Sequence, residues 1–102
     1  GSRRSKHAAH CMADSLFFMM ADLDVPMRGD SGVRSLWYRS RNKDKAYSGR
    51  GGYYAWATPC PCLILEPFFG SNKNEMTVFS DPRNIKRLAW NYLIGALSFK
   101  NS

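Results

Sequence analysis

The stretch that decides the predicted fold is Ser80-Asp81-Pro82-Arg83-Asn84-Ile85-Lys86-Arg87-Leu88-Ala89-Trp90-Asn91-Tyr92-Leu93-Ile94-Gly95-Ala96-Leu97. Asp81 can cap a helix because its carboxylate accepts hydrogen bonds from unpaired backbone N–H groups, and Pro82 fits the first helical position. Apolar residues then recur at the spacing of one buried helical face. These residues are Ile85, Leu88, Ala89, Tyr92, Leu93, Ala96 and Leu97. The stretch therefore predicts a C-terminal helix with this face in the core.

The opposite side of this helix carries Arg83, Arg87, Trp90 and Ile94. A solvated face rarely combines a Trp with an Ile, so this side suggests a second role. Arginines one turn apart suit the phosphates of a nucleic-acid strand, with Trp90 against a base or sugar. The alternatives are a hydrophobic anchor for a protein partner or a second copy, or packing of Trp90 and Ile94 under another helix.

The rest of the chain predicts a second helix and a small sheet. The residues from His7 to Leu23 contain no Pro or Gly and share an apolar face, and Asp24-Val25-Pro26 ends this helix. Strands are predicted at 33–39, 53–58, 62–65 and 76–79. The predicted fold class is α+β, a three- to four-stranded antiparallel sheet with the N-terminal and C-terminal helices packed on one face. A winged helix is the alternative, with 33–42 helical and the strands forming the wing.

Length and composition predict one folded domain. The 102 residues suffice for one core, and the 44% hydrophobic content is typical of a globular module. Gly1-Ser2 is typical of a cloning remnant, so we expect a domain spanning 3–102 that was excised from a longer protein. The longest apolar run, Leu16 to Ala21, is too short to span a bilayer. Three cysteines, an odd number, favour an intracellular setting, cytoplasmic or nuclear.

A strongly basic segment lies in the middle of the chain. The net charge of +7 favours a polyanionic partner, with nucleic acid first and an anionic membrane surface second. Most of this excess comes from six cations, namely Arg34, Arg39, Arg41, Lys43, Lys45 and Arg50. Aromatic residues lie among and after them, at Trp37, Tyr38, Tyr47, Tyr53, Tyr54 and Trp56. Cations neutralise phosphates and exposed rings stack on bases, although such rings are also common in the core of a small sheet.

The spacing from Asp81 to Leu97 resembles that of the last helix of double-stranded RNA-binding domains. That family has the same α-β-β-β-α order that is predicted for this chain. That resemblance implies RNA binding through the start of this helix. The family carries lysines there, whereas this chain has Asp81 and Pro82. The resemblance does not extend beyond this helix.

His7, Cys11, Cys60 and Cys62 form a candidate structural zinc site. His7 and Cys11 are one helical turn apart and point the same way, and Cys60-Pro61-Cys62 supplies two more thiolates for a closed tetrahedron. Zinc sites usually place two to four residues between such cysteines, so a single proline is tight. The alternative is that the cysteines are small buried residues and the histidine is solvated.

The leading functional hypothesis is a nucleic-acid-binding module for RNA or DNA, with contacts dominated by phosphates. A protein-interaction or self-association domain using Trp90 and Ile94 is the alternative, with a partner protein or further domains of a parent chain. A minor alternative is a small basic ribonuclease that uses His7 or His10 with an arginine clamp. In composition, a carboxylate at Asp14 could orient His10 beside Cys11. No catalytic residue is assigned, because catalysis depends on geometry rather than composition.

Overall fold

The computed structural model describes residues 2–33 and 60–102, which form three helices. Helix α1 spans Ser2–Asp22, α2 spans Lys73–Phe79 and α3 spans Pro82–Lys100. The predicted strand at 53–58 and the basic segment from Arg34 to Arg50 lie outside the described residues, as does almost all of the strand predicted at 33–39.

The two long helices, α1 and α3, pack side by side and run antiparallel. Arg87 near the start of α3 forms an ion pair with Asp22 at the end of α1. At the opposite end, His7 of α1 meets Phe99 and Ser102. The main contact of the fold therefore joins segments about as far apart in the chain as its length allows.

The core lies between these helices and the short α2. Its buried residues are Leu16, Met19, Met20, Val25, Phe79 and Leu88. The Phe79 ring stacks on the Phe68 ring at a centroid distance of 4.6 Å, which fixes α2 against the segment before it. Methionines fill irregular gaps well because they are unbranched and flexible, so a core bounded by three unequal helices suits them.

The predicted α+β fold is wrong, because the described residues contain no strand. Residues 76–79 belong to α2 and residues 62–65 have no regular structure. The Cys62 N–H donates to the Ser5 hydroxyl rather than to a neighbouring strand, at 2.9 Å. Without strands at these two places, the predicted wing of the winged-helix alternative is absent from the described residues too.

Local capping explains why 76–79 is helical. The Asn72 side chain accepts a hydrogen bond from the Glu75 N–H at 3.0 Å, which is an N-cap interaction. A run of only four residues does not distinguish a strand from a helix by its pattern. The signal that decides the structure therefore lies before the run, at Asn72.

An ion pair holds α2 to the loop that follows α1. Glu75 is fully buried, and both of its carboxylate oxygens accept hydrogen bonds from Arg28, at 3.0 and 2.7 Å. The Phe69 N–H also donates to Glu75, and the Arg28 guanidinium lies over the Phe69 ring. The hydrogen bonds from Arg28 hold the pKa of Glu75 below its usual range despite its burial. A buried charge is tolerated here because it is fully paired.

The two predicted helices are confirmed, although α1 begins earlier than predicted, at Ser2 rather than near His7. It ends at Asp22, and the chain then turns through Asp24 with a positive φ of 57°. The Asp81 cap is also confirmed, since its carboxylate accepts from the Arg83 N–H at 2.9 Å. The start signal of α3 and the stop signal of α1 were thus reliable, whereas the start of α1 was not predicted.

Candidate interaction surface on α3

Helix α3 packs through a face that matches the predicted one only in part, since Leu88 lies in the core and Tyr92 packs against it. Leu88 and Gly95 are buried, whereas Ile85, Leu93 and Leu97 from the predicted core face are 44 to 47% exposed. The prediction that this whole apolar set lies in the core is therefore wrong. The helix is rotated so that much of its apolar surface points outward.

Gly95 explains this rotation. A Cβ at Gly95 would lie 2.8 Å from Ser15 Oγ and 3.0 Å from Met12 Cα. Only a residue without a side chain allows the two backbones to approach so closely. Because close approach increases the contact between α1 and α3, the position of the glycine favours this face at the seam over the more apolar one.

Polar residues beside Gly95 are compatible with the seam because each has a partner. The Asn91 amide donates to the Arg87 carbonyl at 2.9 Å and lies 3.4 Å from the Met19 sulfur. The Asn84 amide donates to the Val78 carbonyl at 2.8 Å, linking α3 to α2. Burying a side-chain amide costs little free energy when its hydrogen bonds are satisfied, so this side of α3 can face inward. We call Asn84, Leu88, Asn91 and Gly95 the inner face of α3.

Six other apolar residues of α3 form a continuous exposed strip. We call this strip the outer face, and its residues are Ile85, Ala89, Trp90, Leu93, Ile94 and Leu97. Trp90 is 59% exposed and Ile94 is 54% exposed. Lys86, Ala89, Trp90 and Leu93 line a shallow groove of about 240 Å³. Contiguous exposed apolar side chains of this kind are typical of protein-interaction sites.

The charged residues of α3 are all basic. The helix contains four basic residues, Arg83, Lys86, Arg87 and Lys100, and no acidic one. Lys86 borders the groove, so its positive charge lies next to the exposed ring of Trp90. An apolar strip with cations at its edges complements a surface that is apolar with acidic edges.

The two predicted phosphate-binding arginines of α3 are engaged in ion pairs. Arg83 Nη2 lies 2.8 Å from Asp81, and this contact holds the pKa of the Asp81 carboxyl below its usual range. Arg87 Nη1 lies 2.8 Å from Asp22 of α1. A phosphate at either position would compete with a carboxylate, although both pairs are exposed and therefore weak. Trp90 does lie outward beside them, as the nucleic-acid hypothesis requires.

The other predicted nucleic-acid contacts cannot be placed. Arg34, Arg39, Arg41, Lys43, Lys45 and Arg50 lie outside the described residues, so their role stays a prediction. The described residues hold nine basic and seven acidic side chains, whereas residues 34–59 hold six basic and one acidic. The described helices are therefore nearly neutral, and the basic excess of the chain belongs mainly to that segment.

The four predicted zinc ligands are not brought together. His7 Nε2 lies 3.8 Å from Cys11 Sγ, so these two residues do share a face of α1. Cys62, in contrast, is tied through its N–H to Ser5, which is about 200° around the helix from His7. Within 2–33 and 60–102, no group of three His, Cys, Asp or Glu side chains is positioned to hold a metal ion.

The ribonuclease arrangement gains no support from the geometry. Among the described residues, no hydrogen bond joins His10 to Asp14, and the thiol of Cys11 contacts His7 instead.

Comparison of the chain with protein-family models, with curated proteins and with solved structures finds no match. In the part of the chain that the structure describes, no helix combines the length and the apolar character needed to cross a membrane. The case for function therefore depends on the surface of the molecule itself. Sequence reasoning identified Trp90 and Ile94 but missed Ile85, Leu93 and Leu97, because their spacing is equally that of a core face.

Proposed function

We propose that this chain is a protein-interaction domain that binds an acidic amphipathic helix through the outer face of α3. The observation that carries the proposal is the exposure of five large apolar side chains along one helix face, with Trp90 at 59%. Burying such surface is favourable by about 25 cal/mol per Å². Tryptophan is among the residues that most often dominate binding energy, so Trp90 is the expected anchor.

The shape of the outer face supports a helical partner. Ala89 lies between the larger Ile85, Trp90 and Leu93, and the groove at this point is lined by three of the outer-face side chains and Lys86. Helices pack when a ridge of side chains on one enters a groove on the other. Apolar residues spaced three and four apart on a partner helix would fill this groove and cover the strip beside it.

Charge supports an acidic partner rather than a second copy. The chain carries +7 in total, and α3 itself has four basic and no acidic residues. Two outer faces brought together would place Lys86 of each copy near cations of the other, which is unfavourable. A partner with Asp or Glu beside its apolar residues would instead gain attraction at Lys86 and Arg87.

The test is selection from a displayed library of amphipathic helical peptides against the full chain. We expect enriched peptides with apolar residues at helical spacing and an excess of Asp and Glu. One enriched peptide is then synthesised and titrated against the chain and its variants. Trp90→Asp should weaken binding at least tenfold, and Lys86→Gln should weaken it by a smaller factor because it removes attraction only.

Phe18→Asp is the matched control. Phe18 is an aromatic residue of α1 that is 81% exposed, so the change introduces the same charge at another exposed ring. It should leave peptide affinity unchanged, while circular dichroism shows that all variants keep their helices. Enriched peptides that bind Trp90→Asp as tightly as the unmodified chain would refute the proposal, and so would a selection that enriches no amphipathic peptide.

The nucleic-acid hypothesis stays a prediction with a separate test. Fluorescence anisotropy with single- and double-stranded RNA and DNA at low salt measures it directly. Binding dominated by phosphates should weaken steeply as salt increases, and alanines at Arg39 and Arg41 should reduce it. Absence of binding at low salt would exclude this function. Peptide binding through the outer face would be unaffected by that result.

A further inference from the structure

A second exposed apolar surface lies towards the C-terminal end of α1. Phe18 is 81% exposed and Phe17 is 56% exposed, and their rings meet edge to face with centroids 5.4 Å apart. Beside them is an open pocket of about 440 Å³, which we call the α1 pocket. It is lined by Phe17, Ala21, Val25, Met27 and Ser31. None of these residues belongs to the outer face of α3, so the proposed function does not use this surface.

The loop that forms one wall of the α1 pocket is fixed by two sets of hydrogen bonds. Arg28 donates to both carboxylate oxygens of the buried Glu75, at 3.0 and 2.7 Å. Further along, Asp30 and Val33 exchange backbone hydrogen bonds of 2.8 and 2.9 Å across the two-residue turn that contains Ser31. Both residues of this turn have a positive φ, as in the type I′ turns of hairpins. A pocket whose wall is already ordered loses less free energy to ordering when a ligand binds.

The part of the chain that forms the α1 pocket is acidic. Residues 7–33 contain four aspartates and one basic residue, Arg28, which gives a net charge of −3 in a chain of +7. The charge of Arg28 is already balanced by Glu75. Three of the aspartates are exposed and lie next to pocket residues in the chain: Asp14 one helical turn before Phe17, Asp24 before Val25, and Asp30 before Ser31. A ligand of this pocket therefore meets an apolar wall and negative charge together.

We propose that the α1 pocket binds a basic amphipathic segment of a protein partner. An apolar side chain of that segment fills the space between Phe17 of α1 and Met27 of the loop, and its Lys or Arg residues lie beside Asp24 and Asp30. Met27 can adjust to the entering side chain because it is unbranched and flexible. A peptide suits this surface better than a small molecule, because it also covers the exposed ring of Phe18 outside the pocket.

Charge distinguishes the α1 pocket from the outer face of α3. The outer face is bordered by Lys86 and attracts acidic residues, whereas the aspartates around the α1 pocket attract basic ones. A chain with both sites would join an acidic helix to a basic segment and so act as an adaptor. The two sites share no residue, so either proposal can fail without the other.

The experiment is a selection from a displayed library of random linear peptides against the full chain carrying Trp90→Asp, which removes the anchor of the outer face. We expect enriched peptides with an excess of Lys and Arg around one or two large apolar residues. One such peptide is then synthesised and titrated against the unmodified chain, where its affinity should decrease as salt increases. Phe17→Asp and Ala21→Lys should each weaken binding at least about tenfold. The second change starts from an exposed residue, so it places a cation at the pocket without altering the core.

Asp24→Asn tests the contribution of charge, because asparagine also tolerates the positive φ of 57° at this position. It should weaken binding about two- to fivefold. Glu66→Gln removes an exposed carboxyl outside residues 7–33 and should leave binding unchanged, with helix content of all variants checked by circular dichroism.

A selection that enriches no basic peptides would overturn the proposal, and so would a peptide that binds Ala21→Lys as tightly as the unmodified chain. Sedimentation gives a further test of the occupant. Self-association of the unmodified chain that Phe17→Asp prevents would also overturn the proposal, because the pocket would then be occupied by a second copy.

Discussion

Hydrophobicity alone predicts that the more apolar face of α3 packs in the core. The inner face is the less apolar of the two, and it is the face that packs. The inner face contains two asparagines and a glycine, with Leu88 as its large apolar residue, and packs on the rest of the molecule. The outer face contains Ile85, Trp90, Leu93 and other apolar residues and is about half exposed. Close backbone approach and satisfied amides decide which face packs. Hydrophobic surface left over on the other side is then available for a partner.

The largest expected effect comes from a pair of identical substitutions on the two faces. Leu88→Ala should lower the free energy of unfolding by about 2 to 4 kcal/mol, because Leu88 is 7% exposed and its removal leaves a cavity. Leu93→Ala should cost about 1 kcal/mol or less, because Leu93 is 47% exposed. Urea denaturation followed by circular dichroism measures both. Equal losses of unfolding free energy in the two variants would contradict the difference between the faces, since they would mean that both faces are packed.

Gly95→Ala should also destabilise the fold. The new Cβ would meet Met12 Cα at 3.0 Å, so α1 must move away from α3. We expect a net loss of about 1 to 2 kcal/mol from overpacking, although alanine favours a helix over glycine by about 1 kcal/mol. Ala89→Gly on the outer face measures that propensity alone and is the control. A stabilised Gly95→Ala variant would show that the seam is looser than described.

Glu75 is a second example of a polar group that faces inward because it has a partner. Its side chain is fully buried and is paired with Arg28. Its pKa is lowered in the folded protein by Arg28, so its contribution is present above the ordinary glutamate pKa of about 4.3. That contribution is lost as pH falls through the lower, folded pKa. Glu75→Gln should reduce stability at pH 7 by about 1 to 3 kcal/mol.

The pH profile distinguishes this effect from a general loss of packing. Stability of the unmodified chain should decrease from about pH 5 to pH 2, and Glu75→Gln should decrease less over the same range. Glu66→Gln removes an exposed carboxyl and should retain the steeper profile. Thermal unfolding at a series of pH values gives both curves. Parallel curves for Glu75→Gln and the unmodified chain would contradict the role of the ion pair.

The smallest expected effect is at the exposed pair Arg87–Asp22. Their side chains are 43 and 65% exposed, so a double-mutant cycle with alanines should give a coupling below about 1 kcal/mol that decreases with salt. Such a small value would show that Arg87 can leave Asp22 for a partner at little cost. A coupling well above that range would make Arg87 part of the seam rather than of the interaction surface.

The start of α3 and the end of α1 were predictable from the sequence because their signals are local. Asp81 and Pro82 begin α3, and Asp24-Val25-Pro26 follows the end of α1. These residues act through their own backbone positions, so neighbouring elements are not needed to interpret them. The single-sequence prediction of two long helices at the two ends of the described chain is therefore confirmed.

The identity of α2 and the orientation of α3 were not predictable in the same way. The strand predicted at 76–79 is helical because of the Asn72 cap and the distant contact between Glu75 and Arg28. The packed face of α3 depends on what lies opposite Gly95, which its own spacing does not reveal. The first error comes from overlooking a cap, and the second comes from treating apolar periodicity as a statement about burial. Periodicity reports which residues share a face, and tertiary contacts decide where that face lies.

The pairing of α1 with α3 also determines when this molecule can fold during synthesis. Leu16 and Met19 of α1 emerge from the ribosome long before Leu88, with which they form the core. The contacts that close the seam join residues 65 to 95 positions apart, so a large loop must be closed before they form. Until α3 has been made, the apolar side of α1 lacks the helix that packs against it. A chain interrupted before Leu88 would therefore be prone to aggregation rather than partly folded.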